Sequence, residues 1–367
     1  MKNEKLEKFL RIDGSSGEGG GQILRTSLSL SVLTGRPIEI FNIRAGRKKP
    51  GLQRQHLVCV EAVTKISDAK VSGAKIGLQF LRFEPKKVKP GRYEFDIGTA
   101  GSTSLVIQTI LLPLSFSHRP SEILLIGGTH NPFAPPFHYL KEVFLPVVGQ
   151  LGIQADVKLE KWGFYPKGGG RVRLFIEPVS QLKAKNFLER GELKELTGLS
   201  AVASAKGGSA SGGNLPISIA ERQKTAFLKK IGAPSSDVDI KIEQVRAASA
   251  GTFVFLKAKF SRPQSGSASG GENMAAGFSA LGERGKPAEK VGQEAAQKFI
   301  DYYRSGKCFD PHLADQIILY LALVKQPFSF TTSRITNHLL THIWLLEQFL
   351  SIKIKVDEEE NKVSYGI

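Results

Sequence analysis

A glycine-rich loop near the start of the chain has the composition of an anion-binding site. It covers residues 13–22 with the sequence DGSSGEGGGQ, between a predicted strand at residues 9–12 and a predicted helix. Glycines let backbone N–H groups turn toward a ligand, and a helix start adds positive potential. Glu18 in this loop can hold a divalent ion that bridges phosphates. The loop matches neither standard nucleotide motif, so a tight surface turn is the alternative.

A second loop, at residues 44–56, concentrates positive charge. Its cations do not follow a helical repeat, and Pro50 and Gly51 force a bend; they are Arg44, Arg47, Lys48, Lys49 and Arg54. Guanidinium donors in a bent loop suit phosphate oxygens. Arg25 lies one turn into the preceding helix, which supports a phosphate site. A solvated run of charge is the alternative.

Two histidines occupy matching places, because His56 and His338 are each followed by Leu near the start of a predicted helix. His338 lies off the apolar stripe of its helix. A histidine near a helix start, beside an anion site, is placed to attack a phosphorus atom. His338 and His342 have the spacing of a zinc pair, but no Glu lies between them, which argues against a metalloprotease. An ordinary polar residue at a helix start is the alternative.

Two further helices carry polar residues that we expect to face the same centre. His312, Asp315 and Gln316 open one of them, and Asp315 and Gln316 take the place that Arg25 has in the first helix. Gln108 interrupts the apolar helix at residues 105–112. A buried amide needs a partner, which a nucleotide could supply, although a hydrogen bond between helices is the commoner explanation.

These residues are carried by an order of elements that occurs three times. Each repeat has a helix, a turn, a strand, a loop and a second helix; the helices begin near residues 22, 53, 103, 137, 312 and 336, and the strands cover residues 38–43, 122–126 and 328–332. This alternation predicts α/β (α+β) packing, with helices on one face of each small sheet. Repeated units stack, so we expect their equivalent loops to meet around a common centre.

Residues 183–304 interrupt the repeats. They contain Gly/Ser/Ala-rich tracts at 206–214 and 265–273, which we interpret as mobile connections, together with predicted strands at 238–245 and 252–260 and helices at 220–231 and 287–303. We therefore predict a large domain formed by residues 1–182 and 305–367, with a smaller α/β domain inserted at 183–304.

The composition favours a polyanionic partner, either a nucleic acid or an anionic membrane surface, over an acidic protein; an enzyme that is merely basic is the alternative. The 367 residues include 51 Lys and Arg against 34 Asp and Glu, a formal net charge of +17. The two cysteines cannot form a disulfide framework, and we find no secretory signal and no apolar stretch that could span a membrane. We therefore expect a cytoplasmic protein that does not enter membranes.

Taken together, the motifs resemble those of the RNA 3′-terminal phosphate cyclases. Eight blocks follow the order of that family over nearly the whole chain: DGSSGEGGGQILRT, IRAGRKKPGLQRQHL, GTAGSTSLVIQT, GGTHNPFAPP, GFYPKGGG, AGFSALGERGKPAE, HLADQ and TNHLL. The resemblance implies a large domain of three units, each with two helices on a four-stranded sheet, and a smaller inserted α/β domain. It also implies an enzyme that uses ATP and a divalent metal, Mg or Mn, to convert an RNA 3′-phosphate into a 2′,3′-cyclic phosphate, releasing AMP and pyrophosphate.

The resemblance also implies roles for individual residues. The nucleophilic histidine of the family corresponds to His338, which would bond to AMP and pass the adenylate to the RNA 3′-phosphate. The positions that hold ATP correspond to Gln108, His312, Leu313, Ala314, Asp315 and Gln316. Those that bind phosphates or the RNA end correspond to Arg25, Arg44, Arg47, Gln55 and His56, and the metal position corresponds to Glu18.

Two alternatives stay open at this point. One is a cyclase-like RNA-binding factor in ribosomal RNA processing that has no activity; the presence of His338, Glu18 and His56 favours the enzyme. The other is an enolpyruvyl transferase, whose repeats are similar but which would not become labelled by ATP. The sequence also leaves open whether the insertion grips RNA or joins two chains as a homodimer.

Overall fold

The computed structural model describes residues 9–205, 214–232, 238–261 and 273–366. The two Gly/Ser-rich tracts predicted as connections lie outside the described residues, except at their last positions. The described part is a mixed α/β protein, which confirms the predicted class. None of its helices combines the length and the apolar character needed to cross a bilayer.

The first repeat forms one sheet with two helices. Its elements are β1 (Leu10–Asp13), α1 (Gly21–Thr34), β2 (Ile38–Phe41), α2 (Arg54–Ser67), β3 (Lys70–Ser72) and β4 (Leu81–Glu84). The sheet order is β1-β2-β4-β3, with β1 parallel to β2 and the other pairs antiparallel. Gly35 ends α1 in the left-handed conformation, with φ 69°, as glycine readily does.

The second repeat has the same topology. Its elements are β5 (Arg92–Asp96), α3 (Thr103–Ser115), β6 (Ser121–Gly127), α4 (residues 137–150, with a π-helical turn at Leu140–Phe144), β7 (Gln154–Lys161) and β8 (Gly170–Glu177). The order β5-β6-β8-β7 again pairs the first two strands in parallel. The predicted repeat is therefore confirmed at the level of strand order.

A separate sheet follows within the predicted insertion. Its elements are β9 (Glu192–Ala205), α5 (Ser218–Ile231), β10 (Asp239–Ala247), β11 (Gly251–Ser261), β12 (Asn273–Leu281) and α6 (Ala288–Ser305). The strand order is β10-β9-β11-β12, and α5 and α6 pack on each other and on this sheet. The division of the chain into a large and an inserted domain stays a prediction.

The third repeat comprises α7 (Pro311–Val324), β13 (Phe328–Thr331), α8 (Asn337–Phe349), β14 (Lys355–Asp357) and β15 (Lys362–Tyr365). Its sheet has three strands in the described residues, in the order β13-β15-β14, whereas four were expected. Phe187 takes the place of the missing strand with a single parallel bridge to Phe330. Next to this bridge the Asn186 side chain, rather than a backbone carbonyl, accepts the N–H of Ser329 at 2.7 Å.

Helices of the three repeats pack against one another. Helix α1 packs against α3 of the second repeat and against α8 of the third, and α2 also packs against α3. A buried apolar core continues through all of these contacts. The starts of α1 and α8 are thereby brought side by side; Arg25 lies on α1, His338 lies on α8, and Glu18 lies in the loop just before α1.

Candidate active site

The glycine-rich loop folds against the first turns of α8. Gly17 has φ +54°, and a Cβ added there would lie 2.3 Å from the Thr341 hydroxyl oxygen, so both conformation and space require glycine. The backbone N–H of Glu18 donates to the same hydroxyl at 3.2 Å. Thr341 was not singled out in the sequence, although its position one turn after His338 was the available signal.

His338 stands at the first turn of α8 with both ring nitrogens engaged. Its Nδ1 faces the side-chain oxygen of Gln22, and Gln22 Nε2 donates to the His338 carbonyl at 2.6 Å. Its Nε2 lies 2.8 Å from an oxygen of Glu18. Burial lowers the pKa of His338, although the Glu18 carboxylate acts in the opposite direction. The side chain is 48% exposed, so a reactant can reach it.

Glu18 links this histidine to the basic loop. One carboxylate oxygen pairs with His338, and the other pairs with Arg47 Nη2 at 2.8 Å. Arg47 also donates to the backbone oxygen of Glu18 at 2.9 Å. The predicted metal ligand therefore lies between a histidine and an arginine. Mg²⁺ at phosphate sites is commonly bound by one or two carboxylates together with substrate oxygens, and this single carboxylate fits that pattern.

Arg25 and His56 present two unused donors at the start of α1. A Cβ built on Gly21 would lie 2.3 Å from His56 Nε2 and 3.0 Å from Arg25 Nη1, so both groups converge there. The backbone N–H of Gln53 donates to His56 Nδ1 at 3.1 Å, which leaves the proton of the neutral ring on Nε2. Burial, with Arg25 and Arg44 nearby, lowers the pKa of His56 to about 3.

No acceptor for the Arg25 guanidinium or for His56 Nε2 occurs among the described residues. Helix α1 has no side-chain cap at Gly20 and no acidic residue in its first turn. A helix start with free N–H groups, a guanidinium and a neutral N–H donor forms a binding site for an anion. The burial that lowers the pKa of Arg25 also makes an unpaired guanidinium costly, which a bound anion would offset.

Two other predicted phosphate ligands have structural partners. Arg44 adopts φ 54° and donates to the backbone oxygens of Lys49 and Gly51 at 2.7 and 2.8 Å, so it shapes the basic loop. Gln55 Nε2 donates to Ser102 O at 3.2 Å, in the loop before α3. Its buried Oε1 has no donor in the described part of the chain. Gln55 therefore joins the first repeat to the second.

A buried polar layer lies behind His338. Thr336 caps α8 and donates its hydroxyl to Asp315 Oδ1 at 2.5 Å, and burial raises the pKa of Asp315 to about 8. His342 Nδ1 donates to the Asp315 carbonyl at 2.5 Å, so its Nε2 accepts from the Thr26 hydroxyl at 3.0 Å. Burial lowers the pKa of His342 to about 3. Both nitrogens of His342 are thus engaged, which disfavours a zinc pair with His338.

The residues predicted to bind ATP lie in two environments, a group of polar side chains joined by hydrogen bonds and the apolar core. Gln108 donates to Gln316 Oε1 at 2.7 Å, and Gln316 Nε2 donates to the His312 carbonyl at 2.8 Å. Leu313 and Ala314 are fully buried in the core. Asp310 caps α7 by accepting the N–H groups of residues 312 and 313, each at 3.0 Å. The hydrogen bond between helices, the commoner explanation for Gln108, is thus present.

Asp310 is another residue of this region that the sequence motifs did not predict. It is buried and accepts the Tyr139 hydroxyl at 2.9 and 3.0 Å, which ties α7 to α4 of the second repeat. Its place immediately before Pro311 is a recognisable helix-start signal. Gln22 was missed as a partner of His338, and a polar residue that ends the glycine loop was its only signal.

Comparisons with known proteins agree with the motif pattern. The chain matches the family described as RNA 3′-terminal phosphate cyclase over residues 16–356. Several similar proteins bear that name. One from Pyrobaculum aerophilum is 43% identical over 360 residues, covering 98% of this chain and 97% of that protein. One from Staphylothermus marinus is 42% identical over 370 residues (98% and 97%), and one from Methylococcus capsulatus is 40% identical over 359 residues (95% and 93%).

Proposed function

Because the chain belongs to the RNA 3′-terminal phosphate cyclase family and is an enzyme of that family, we propose that it uses ATP to close the 3′-phosphate of an RNA into a 2′,3′-cyclic phosphodiester. The proposed route passes through a covalent bond between His338 and AMP. The observation that carries it is a half-exposed histidine beside a carboxylate and beside a set of unused anion donors.

The hydrogen bonds around His338 favour Nε2 as the nucleophile. A carbonyl oxygen only accepts, so the Gln22 Oε1 contact keeps a proton on Nδ1 of the neutral ring. The amide is oriented by its second bond, from Nε2 to the His338 backbone oxygen. The lone pair of the neutral ring therefore lies on Nε2. The lowered pKa of His338 keeps a larger neutral fraction available at neutral pH.

Nε2 also lies 2.8 Å from Glu18, and a carboxylate oxygen only accepts, so Nε2 has to release the proton it shares with Glu18 and the carboxylate has to turn away before attack. Glu18 is the residue that would hold a divalent metal, Mg or Mn, which would neutralise charge on the triphosphate. Arg47 stays beside Glu18 and adds a second positive charge near the same oxygens. The unused donors of Arg25 and His56 and the start of α1 would bind phosphate oxygens of ATP or of the RNA end.

The proposed chemistry has three displacements. His338 Nε2 bonds to the α-phosphorus of ATP, the bond from that phosphorus to the bridging oxygen breaks, and pyrophosphate leaves. An oxygen of the RNA 3′-phosphate then attacks the same phosphorus, breaking the P–N bond and giving an RNA–pp–adenosine end. Finally the neighbouring 2′-OH loses its proton and attacks the RNA phosphorus, and AMP leaves. Activation is needed because an unmodified phosphate oxygen is a poor leaving group.

The test is labelling of the purified protein with ATP carrying radioactive α-phosphate, in the presence of Mg or Mn. We expect label on the wild type and on His118→Ala, which changes an exposed histidine, and none on His338→Ala. Mass spectrometry should locate the AMP on the peptide containing residue 338. Label that persists in His338→Ala would move the nucleophile elsewhere.

The labelling experiment also separates the second candidate function. A wild-type protein that binds RNA but never becomes labelled would be a cyclase-like binding factor. The few cysteines support a reducing, cytoplasmic location, which we propose together with ATP and RNA 3′-phosphate ends as partners. A homodimer stays a prediction.

A further inference from the structure

Two aromatic side chains project into solvent from neighbouring loops of the second repeat. Phe133 is fully exposed and Tyr165 is 70% exposed. Phe133 also has φ 62°, a left-handed conformation that bulky residues rarely adopt. Strained backbone that holds a large apolar side chain in water lowers stability, and such features concentrate at binding sites.

The two loops share a rigid base. The N–H groups of Thr129 and His130 both donate to the Gly163 carbonyl, at 2.9 and 3.2 Å. The rings of His130 and Trp162 stack with centroids 4.2 Å apart, and His130 is buried. Phe164, immediately before Tyr165, pairs with His130 as an isolated bridge. The two exposed rings are therefore carried on loops that are bonded to each other.

The same loops adjoin the candidate active site. The side chain of Asn131 donates to the backbone oxygen of Ala100, and a Cβ on Gly168 would lie 2.6 Å from the backbone oxygen of Thr99. Gln55, from the first repeat, contacts this same loop through Ser102. The aromatic loops are therefore connected through Ser102 to Gln55, the neighbour in sequence of the anion donor His56.

The charge around the rings suits a polyanion. Residues 98–105, 127–141 and 162–171 contain no Asp or Glu, and Lys167 stands exposed two residues after Tyr165. A protein partner held by apolar contact alone would not require this absence of carboxylates. Single-stranded RNA needs aromatic faces for its bases and a surface free of negative charge for its backbone.

We propose that Phe133 and Tyr165 form an aromatic platform on which unpaired bases upstream of the RNA 3′-phosphate stack. The inference rests on the proposed function, because it takes an RNA end as the substrate. Stacking is tolerant of sequence, since every base has an aromatic face. The platform would therefore select single-stranded 3′ ends over paired ends without reading their sequence.

The test measures RNA binding without ATP, by fluorescence anisotropy of a labelled single-stranded oligonucleotide ending in a 3′-phosphate. Removing one stacked ring is expected to weaken affinity roughly five- to 150-fold. The variants are Phe133→Ala and Tyr165→Ala, with Phe133→Trp and Tyr165→Phe expected to retain affinity. Phe116→Ala is the matched control, because Phe116 is 40% exposed at the end of α3. Thermal unfolding of each variant checks that it is folded.

A second oligonucleotide keeps the sugar-phosphate backbone but lacks its last two bases. It should bind weakly to the wild type and equally weakly to the alanine variants. Alanine variants that are folded and bind the intact oligonucleotide as the wild type does would overturn the platform. Alanine variants that keep RNA affinity but lose binding of a second copy of the chain would also overturn it. ATP labelling of the wild type is scored separately, so failure of the cyclase proposal is recognised by itself.

Discussion

Asp315 should make the stability of this protein depend on pH in an unusual direction. Its side chain is buried, and burial raises its pKa to about 8 even though the Thr336 hydroxyl donates to it. An unfolded chain has an aspartate pKa of about 3.9. Between these two values the folded protein keeps a proton that the unfolded chain releases.

The sign and size follow from proton linkage. Since the unfolded state binds fewer protons here, the free energy of unfolding falls by about 1.4 kcal/mol per pH unit from this residue alone. The contribution is complete below about pH 4 and is lost as the pH rises to about 8. Over the whole interval it amounts to roughly 5 kcal/mol, and from pH 5 to pH 8 to roughly 4 kcal/mol.

Asp315→Asn removes the ionisation and keeps an oxygen that accepts from Thr336. We expect its free energy of unfolding, relative to the wild type, to rise by roughly 4 kcal/mol between pH 5 and pH 8. Denaturant unfolding at four pH values measures this difference. Asp156→Asn is the control, because Asp156 is exposed on β7. A difference between Asp315→Asn and wild type that does not change with pH would refute the reasoning.

Two further predictions concern the site itself. Gly21→Ala places a methyl group 2.3 Å from His56 Nε2, so we expect ATP labelling to slow by about tenfold or more. Gly46→Ala is the control and should label normally, because the added Cβ has no atom within 4 Å. Initial rates of labelling should fall as the pH drops through the pKa of His338. Because burial lowers that pKa, the midpoint of the pH profile should lie below 6.5. A midpoint above 6.5 would contradict the assignment of His338 as the nucleophile.

Much of the local structure is predictable because turn chemistry and apolar periodicity agree in this chain. The helix predicted to begin near residue 22 begins at Gly21, and the one predicted to begin near residue 336 covers Asn337–Phe349. The latter boundary follows from Thr336, whose side chain caps the helix. The third sheet was not predictable in the same way, because a side chain of Asn186 replaces a strand partner.

The site could be predicted as a set of residues but not as a set of contacts. Glu18, His338 and Arg47 are recognisable by type and spacing, yet their bonding to one another requires α1 to pack against α8. The partners that fix the histidine tautomer, such as Gln22, depend on that packing too. Residues of ordinary type acquire a role only through contacts between repeats, which no local pattern records.

The segment that runs from β9 to α6 begins and ends at neighbouring points of the structure. Arg190 is buried just before β9 and donates to the backbone oxygens of Tyr302 and Tyr303 at the end of α6, at 3.0 and 2.6 Å. Its guanidinium also lies 4.9 Å from the ring centroid of Phe260. Because the two ends are joined, the segment acts on the third repeat as a short loop would. Phe187 and α7 can therefore belong to the same repeat, although a whole sheet separates them in sequence. The residues of α7 that we place near ATP keep their position beside α8.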